Sequence, residues 1–295
     1  MKSKLLIAIG LLVLTMGLFV GVVAAQDDAA IQGGLLYDKW WVVVGADEPT
    51  TDHPLWATQS TNTRSGKDTW RCKECHGWDY QGADGAYGSG SHFTGFPGVY
   101  AARDKSADEI VAALKSGDHD FSAVMDDAAL ANLAAFIKSV GDYKTHIDYG
   151  SKASIGGDAA NGQVLYESDC AGCHGDDGTD LNFGSDDDPA YVGAIATGNP
   201  QEFLHKALYG HPGSKPRMPG GIENGWSMAQ VVDVLAYAQS LPTGEAEAPA
   251  AEAPAPAVLP VSGGLLFDLS LFLVFGGTAL LSTGLFGLIR SRKRA

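Results

Sequence analysis

The chain has 295 residues, with 35 acidic side chains against 20 basic ones and a net charge of −15. That balance disfavours nucleic acid and anionic membrane surfaces as partners and favours a protein carrying a basic patch. Hydrophobic residues make up 45% of the chain, enough for a packed core, while four cysteines are too few for a disulfide-dense scaffold.

The first element in chain order is residues 1–25, "MKSKLLIAIGLLVLTMGLFVGVVAA". Lys2 and Lys4, an uncharged apolar run and the small residues Val23-Ala24-Ala25 predict a secretory signal peptide, or an anchor if it is not cleaved. Either form carries residue 26 onward across a membrane. The segment 33–56 then supplies Trp40, Trp41 and Trp56. With the aromatic, glycine-rich stretch 77–100, it is expected to shield a bound group from water, an interface being the alternative.

"RCKECHG" at 71–77 and "DCAGCHG" at 169–175 consume every cysteine: Cys72, Cys75, Cys170 and Cys173. Two thiols three positions apart can each add to one vinyl group of a haem. The histidine after the second Cys, His76 or His174, then lies under the iron as proximal ligand. A four-cysteine zinc site leaves the histidine after each pair unexplained. A thioredoxin-type redox pair would need a preceding strand and a following helix, whereas "CHGWDYQGADG" is a glycine-rich loop. The motifs therefore predict two covalently bound haem c groups.

Each motif heads the same series: a glycine- and acid-rich loop, a short helix, a loop and a closing helix. The short helices are expected over 106–117 and 199–210, each ending on a glycine suited to a C-cap. In the closing helices Leu130, Leu133, Phe136 and Ile137 fall at the same spacing as Val231, Val234, Tyr237 and Ala238, an apolar stripe of helical period. A boundary near 148–162 divides the repeat into domain 1, residues 26–150, and domain 2, residues 151–242.

"TGEAEAPAAEAPAPAVLP", within a linker at 243–263, is too rich in Ala, Pro and Glu to build a core and is expected to act as a tether. Residues 264–290 contain the charge-free run Leu269–Ile289, 21 residues long. It is long enough for a transmembrane helix. The basic tail 291–295, with Arg290 before it, fixes that end in the cytoplasm and leaves the preceding domains outside. Six basic residues flank the two apolar ends, so the exported part keeps fourteen against thirty-five acidic ones, a net of −21.

"DAANGQVLYESDCAGCHG" resembles the first helix and attachment motif of a class I cytochrome c, with Gly162 and Tyr166 where that family packs its first helix against its last. Both globular halves resemble the family, the first more loosely before Cys72. The resemblance implies a mostly α fold of two tandem cytochrome c-like domains plus the C-terminal membrane helix. It also implies a distal methionine before the closing helix, and Met218 in "KPRMPGG" fits that place.

For the first haem the distal ligand is His119 or Met125. Met125 lies eight residues past Gly117, as Met218 lies eight past Gly210. Yet Met125 also aligns with Trp226 as the residue that staples the closing helix. His119, two residues past Gly117, competes with it, and His92 is a distant third. His53 and His146 are expected to be surface or hydrogen-bonded histidines. The implied function is single-electron transfer between redox proteins on the extracytoplasmic side of the membrane, without substrate chemistry of its own. Two alternatives stand: a di-haem enzyme resembling thiosulfate dehydrogenase or di-haem peroxidase, with the first haem as reaction site, and a cytochrome subunit of a membrane respiratory complex.

Overall fold

The structure is a computed structural model and describes residues 28–244. The signal segment, most of the linker, the apolar run 264–290 and the basic tail lie outside the described residues. Among the described residues the regular structure is helical, with isolated β-bridges and no strand, and no helix is long and apolar enough to cross a membrane.

Helix α1 runs from 28, where the described residues begin, to 44. Then come α2 (Cys72–His76), α3 (Ala107–Leu114), α4 (Asp127–Ser139) and α5 (Ala159–Asp169). The remainder are α6 (Ala171–His174), α7 (Val192–Gly198), α8 (Pro200–Tyr209) and α9 (Met228–Ala238). The starts follow the capping residues. Ser106 and Ser227 close capping boxes with Glu109 and Gln230, and the Asp126 carboxylate accepts from Ala129 N. One expected boundary shifts. Helix α3 stops at Leu114, so Gly117 opens a separate 3-10 turn, Gly117–His119, instead of capping the helix.

Helix α1 is not among the elements expected from the sequence. Leu36, Tyr37, Trp40 and Trp41 stand in the core, each under 5% exposed, so two of the three tryptophans expected to shield a bound group pack a helix instead. Gly33 lets α1 lie directly against α4, because a β-carbon there would collide with the Asn132 carbonyl and Phe136. Gly162 does the same for α5 against Asp233 and Val234 of α9. The two helix crossings are alike down to the glycine.

The two halves share one hydrophobic cluster. Phe136 of α4 meets Tyr209 of α8 edge to face at 5.1 Å between ring centroids. Gly34 on the other face of α1 also lies against Tyr209. His205 of α8, with no exposed surface, sits at this junction. Its Nε2–H donates to the Gly34 carbonyl at 3.1 Å, so Nδ1 accepts from Tyr80 Oη at 2.9 Å, and Tyr80 accepts in turn from Tyr143 Oη at 2.9 Å. Burial holds the His205 imidazole down at about 4, neutral in this relay.

Candidate functional site

Each Cys-x-x-Cys-His stretch folds as a single helical turn that brings its three functional side chains to one face. In α2 these are Cys72, Cys75 and His76; in α6 and its N-cap they are Cys170, Cys173 and His174. A glycine in a conformation that other residues rarely adopt ends each turn, Gly77 at φ 76° and Gly175 at φ 82°. The next loop returns identically: Gly82 N–H donates to His76 O at 2.8 Å, and Asp180 N–H to His174 O at 3.0 Å. A tyrosine from the helix packed behind holds each terminating glycine. Tyr37 Oη donates to Gly77 O at 2.6 Å, and Tyr166 Oη to Gly175 O at 3.0 Å.

The first turn opens on a cleft lined by Cys72, Cys75, His76, His53, His119 and a largely apolar wall including Leu55, Trp70, Phe96 and Phe121. His76 Nδ1 lies 2.6 Å from the Pro97 carbonyl, which can only accept, so the proton sits on Nδ1 and the Nε2 lone pair is free. His119 is set the same way, Nδ1 facing the Ala113 carbonyl at 3.3 Å. The two rings stand 6.0 Å apart. Two imidazoles sharing one metal ion, with metal–nitrogen bonds of about 2 Å, need a ring separation of about 6 Å.

Burial pushes the Cys72 and Cys75 thiols up to about 12, and that of Cys170 likewise. These are protonated thiols, unlike the low-pKa thiolate of a redox pair. All four cysteines are free. Among the described residues no group of three or more His, Cys, Asp or Glu side chains is arranged to hold a metal ion. The two cysteine pairs therefore do not converge on a shared zinc site, and the donor set of the first cleft, two thiols and two imidazoles with free Nε2 atoms, fits a covalently held haem.

Of the competing distal residues, the structure brings His119 into this cleft and leaves Met125 out of it. Met125 is 4% exposed within the hydrophobic cluster, directly before the Asp126 N-cap. His92 is engaged elsewhere, stacked on Tyr87 at 4.6 Å with its Nδ1 3.0 Å from Glu74 Oε1. His53, expected at the surface or in a hydrogen bond, accepts from Leu55 N and is only 5% exposed. It lines the cleft, which no sequence signal indicated. His146 is half-buried beyond α4.

In the second half Met218 is half-buried on the loop between α8 and α9. Its N–H donates to Ser214 Oγ at 2.8 Å and its carbonyl accepts from His211 N at 3.2 Å. Arg217 and Glu223 brace the same loop through paired contacts of 2.9 and 2.6 Å. His174 Nδ1 is buried without a hydrogen-bond partner among the described residues, with the Phe183 ring 6.0 Å away.

Buried charges brace α2 from below. Glu74, with no exposed surface, receives Lys73 Nζ at 2.6 Å, Asn62 Nδ2 at 2.9 Å, and Arg64 Nε and His92 Nδ1 at 3.0 Å each. These donors outweigh the effect of burial and hold its carboxyl far below the ordinary range. The guanidinium of Arg71, immediately before Cys72, pairs with Asp38 of α1.

Residues 157–237 match the family described as cytochrome c oxidase, cbb3-type, subunit III. This stretch is similar to a c-type cytochrome domain. No curated protein and no solved structure matches the chain. The match spans α5, α6 and Met218, so it takes in the second Cys-x-x-Cys-His and implies covalently bound haem c with an electron-transfer role there.

Proposed function

We propose that the chain is a di-haem c-type cytochrome of two tandem cytochrome c-like domains. Its haem domains face the extracytoplasmic side, and residues 264–290 anchor it in the membrane. The reading rests on one observation above the rest: the glycine-ended Cys-x-x-Cys-His turn, latched by a tyrosine from the helix behind, occurs twice, once inside the c-type cytochrome domain and once outside it.

A bound haem supplies an iron that takes up and releases one electron at a time. The chain's residues hold it and set its surroundings. Cys72 and Cys75 attach the first ring, Cys170 and Cys173 the second. His76 and His174 are the proximal ligands, and His119 and Met218 the distal ones. A histidine pair on one iron and His/Met on the other give the sites different potentials, since methionine ligation raises the potential. Apolar side chains around the first cleft keep water from the iron. The acidic surface selects redox partners with basic docking faces.

The haem-to-protein ratio of the matured protein, measured as the pyridine haemochrome, tests this. We expect two per chain, falling to one when Cys72 and Cys75 are both replaced by Ser. A native ratio of one rejects the tandem reading. A second reading, a cytochrome subunit of a membrane respiratory complex, draws support from the oxidase subunit for which the matching family is named. Co-purification of other subunits after mild detergent extraction would favour it over a free carrier.

A further inference from the structure

Residues 45–71, between α1 and the first attachment turn, have no counterpart in the second half, where Tyr166 stands four residues before Cys170. This extra segment supplies His53, Leu55, Thr69 and Trp70 to the first cleft. His53 is the N-cap of a 3-10 turn, Pro54–Thr58, and its Nδ1 accepts from Leu55 N at 3.2 Å. The neutral ring therefore carries its proton on Nε2. Its position is pinned, because His53 N–H donates to Thr69 Oγ1 at 2.9 Å and the ring meets Trp70 edge-on at 4.5 Å. No protein acceptor pairs with Nε2 among the described residues, although His53 is 5% exposed. That Nε2–H is an unpaired donor open to a cleft whose wall is otherwise largely apolar.

His119 contrasts with it. Its ring lies 6.4 Å from that of His53, on a three-residue turn, and its ring is held by one long contact of 3.3 Å to Ala113 O. Resting on the di-haem reading above, we propose that His53 is a fixed hydrogen-bond donor beside the distal position of the first haem, and that this cleft binds small anions when His119 swings away. His119 presents a lone pair and His53 presents N–H, so the two histidines have opposite roles. An anion with a ligating lone pair, seated where His119 was, would satisfy the donor that the protein leaves unpaired.

The test uses the full-length matured protein in detergent, oxidised, with cyanide as probe and the Soret band as readout. We expect one of the two haems to bind cyanide, and His119→Ala to make that binding faster and tighter. His53→Phe should weaken it about tenfold or more, the loss expected for one hydrogen bond to a charged group, with the low-spin spectrum before cyanide unchanged. His53→Gln, which keeps an N–H donor, should recover most of the affinity. The proposal fails if native protein binds no cyanide, if His53→Phe leaves the dissociation constant unchanged, or if His53→Phe alone turns the first haem high-spin, which would make His53 the ligand. The His53 variants decide the matter even where His119→Ala does not mature. A haem ratio below two would instead reject the underlying reading.

Discussion

Asp38 carries Arg71 on one carboxylate oxygen and His211 Nδ1, at 2.9 Å, on the other. Arg71 immediately precedes the first attachment turn, and His211 opens the loop that holds Met218, its N–H donating to the Met218 carbonyl. One buried carboxylate on α1 thus ties the entry of the first Cys-x-x-Cys-His turn to the loop that holds Met218. Burial alone would raise its pKa, but the His211 hydrogen bond and the Arg71 charge prevail and hold it well below the ordinary range. Asp38→Asn removes the negative charge and leaves Arg71, 13% exposed at its side chain, without its main partner. Breaking such a pair costs about 3 kcal/mol or more. A guanidinium denaturation curve should show that loss, and an unchanged midpoint would show the triad to be incidental.

The two tyrosine latches yield a paired prediction. Tyr37→Phe and Tyr166→Phe each remove one hydrogen bond to a glycine carbonyl, so each should lower stability by about 1 kcal/mol. The sites lie in different halves with no shared partner, so the double variant should lose the sum. Strongly unequal losses would mean that the two turns are not held in the same way.

That equivalence was only half legible in the sequence. Gly162 and Tyr166 stand four apart just before Cys170, and the family pattern found them. Gly33 and Tyr37 have the same spacing, but residues 45–71 separate them from Cys72. Three tryptophans in the region drew attention to water exclusion instead of to a helix of period 3.6. The Cys-x-x-Cys-His turns were plain because covalent haem attachment would demand fixed residue types at fixed spacing. His53 was not, because an N-cap histidine carries no signature of the cleft its other nitrogen faces. Spacing leaves His119 and Met125 level, because whether the chain packs Met125 into the core is a matter of helix packing.

The glycines at the helix crossings are more sensitive than their size implies. In Gly33→Ala and Gly162→Ala the new methyl meets the backbone of α4 or α9, which cannot step aside as a side chain can. Each should cost about 2 kcal/mol, within the usual range for overpacking. Gly172 in α6 is the control. A β-carbon there meets nothing within 4 Å, so Gly172→Ala should be neutral or stabilising by up to about 1 kcal/mol through helix propensity. Thermal unfolding of the three variants, each with its haem content checked, separates the two kinds of position.

The relay through His205 makes stability depend on acid in a window that it shares with the buried rings of His53 and His76. Burial lowers the imidazole from 6.5 to about 4 in the folded chain, so between those values the unfolded chain binds a proton that the folded one does not. Stability is then complete above about 6.5 and falls as the pH drops towards 4, by about 1.4 kcal/mol per pH unit for this one group. The depressed carboxylates Asp38, Glu74 and Glu202 act later, below the ordinary carboxylate range, because their contribution is intact until the unfolded chain itself begins to protonate. His205→Gln keeps a side chain able to donate and accept between Tyr80 and Gly34 but does not titrate. The variant should be less stable than native protein at pH 7.5, and the gap should narrow by about 2 kcal/mol at pH 5, as native protein loses what the variant never had. Parallel pH profiles of the two denaturation midpoints would show that His205 does not take up the missing proton.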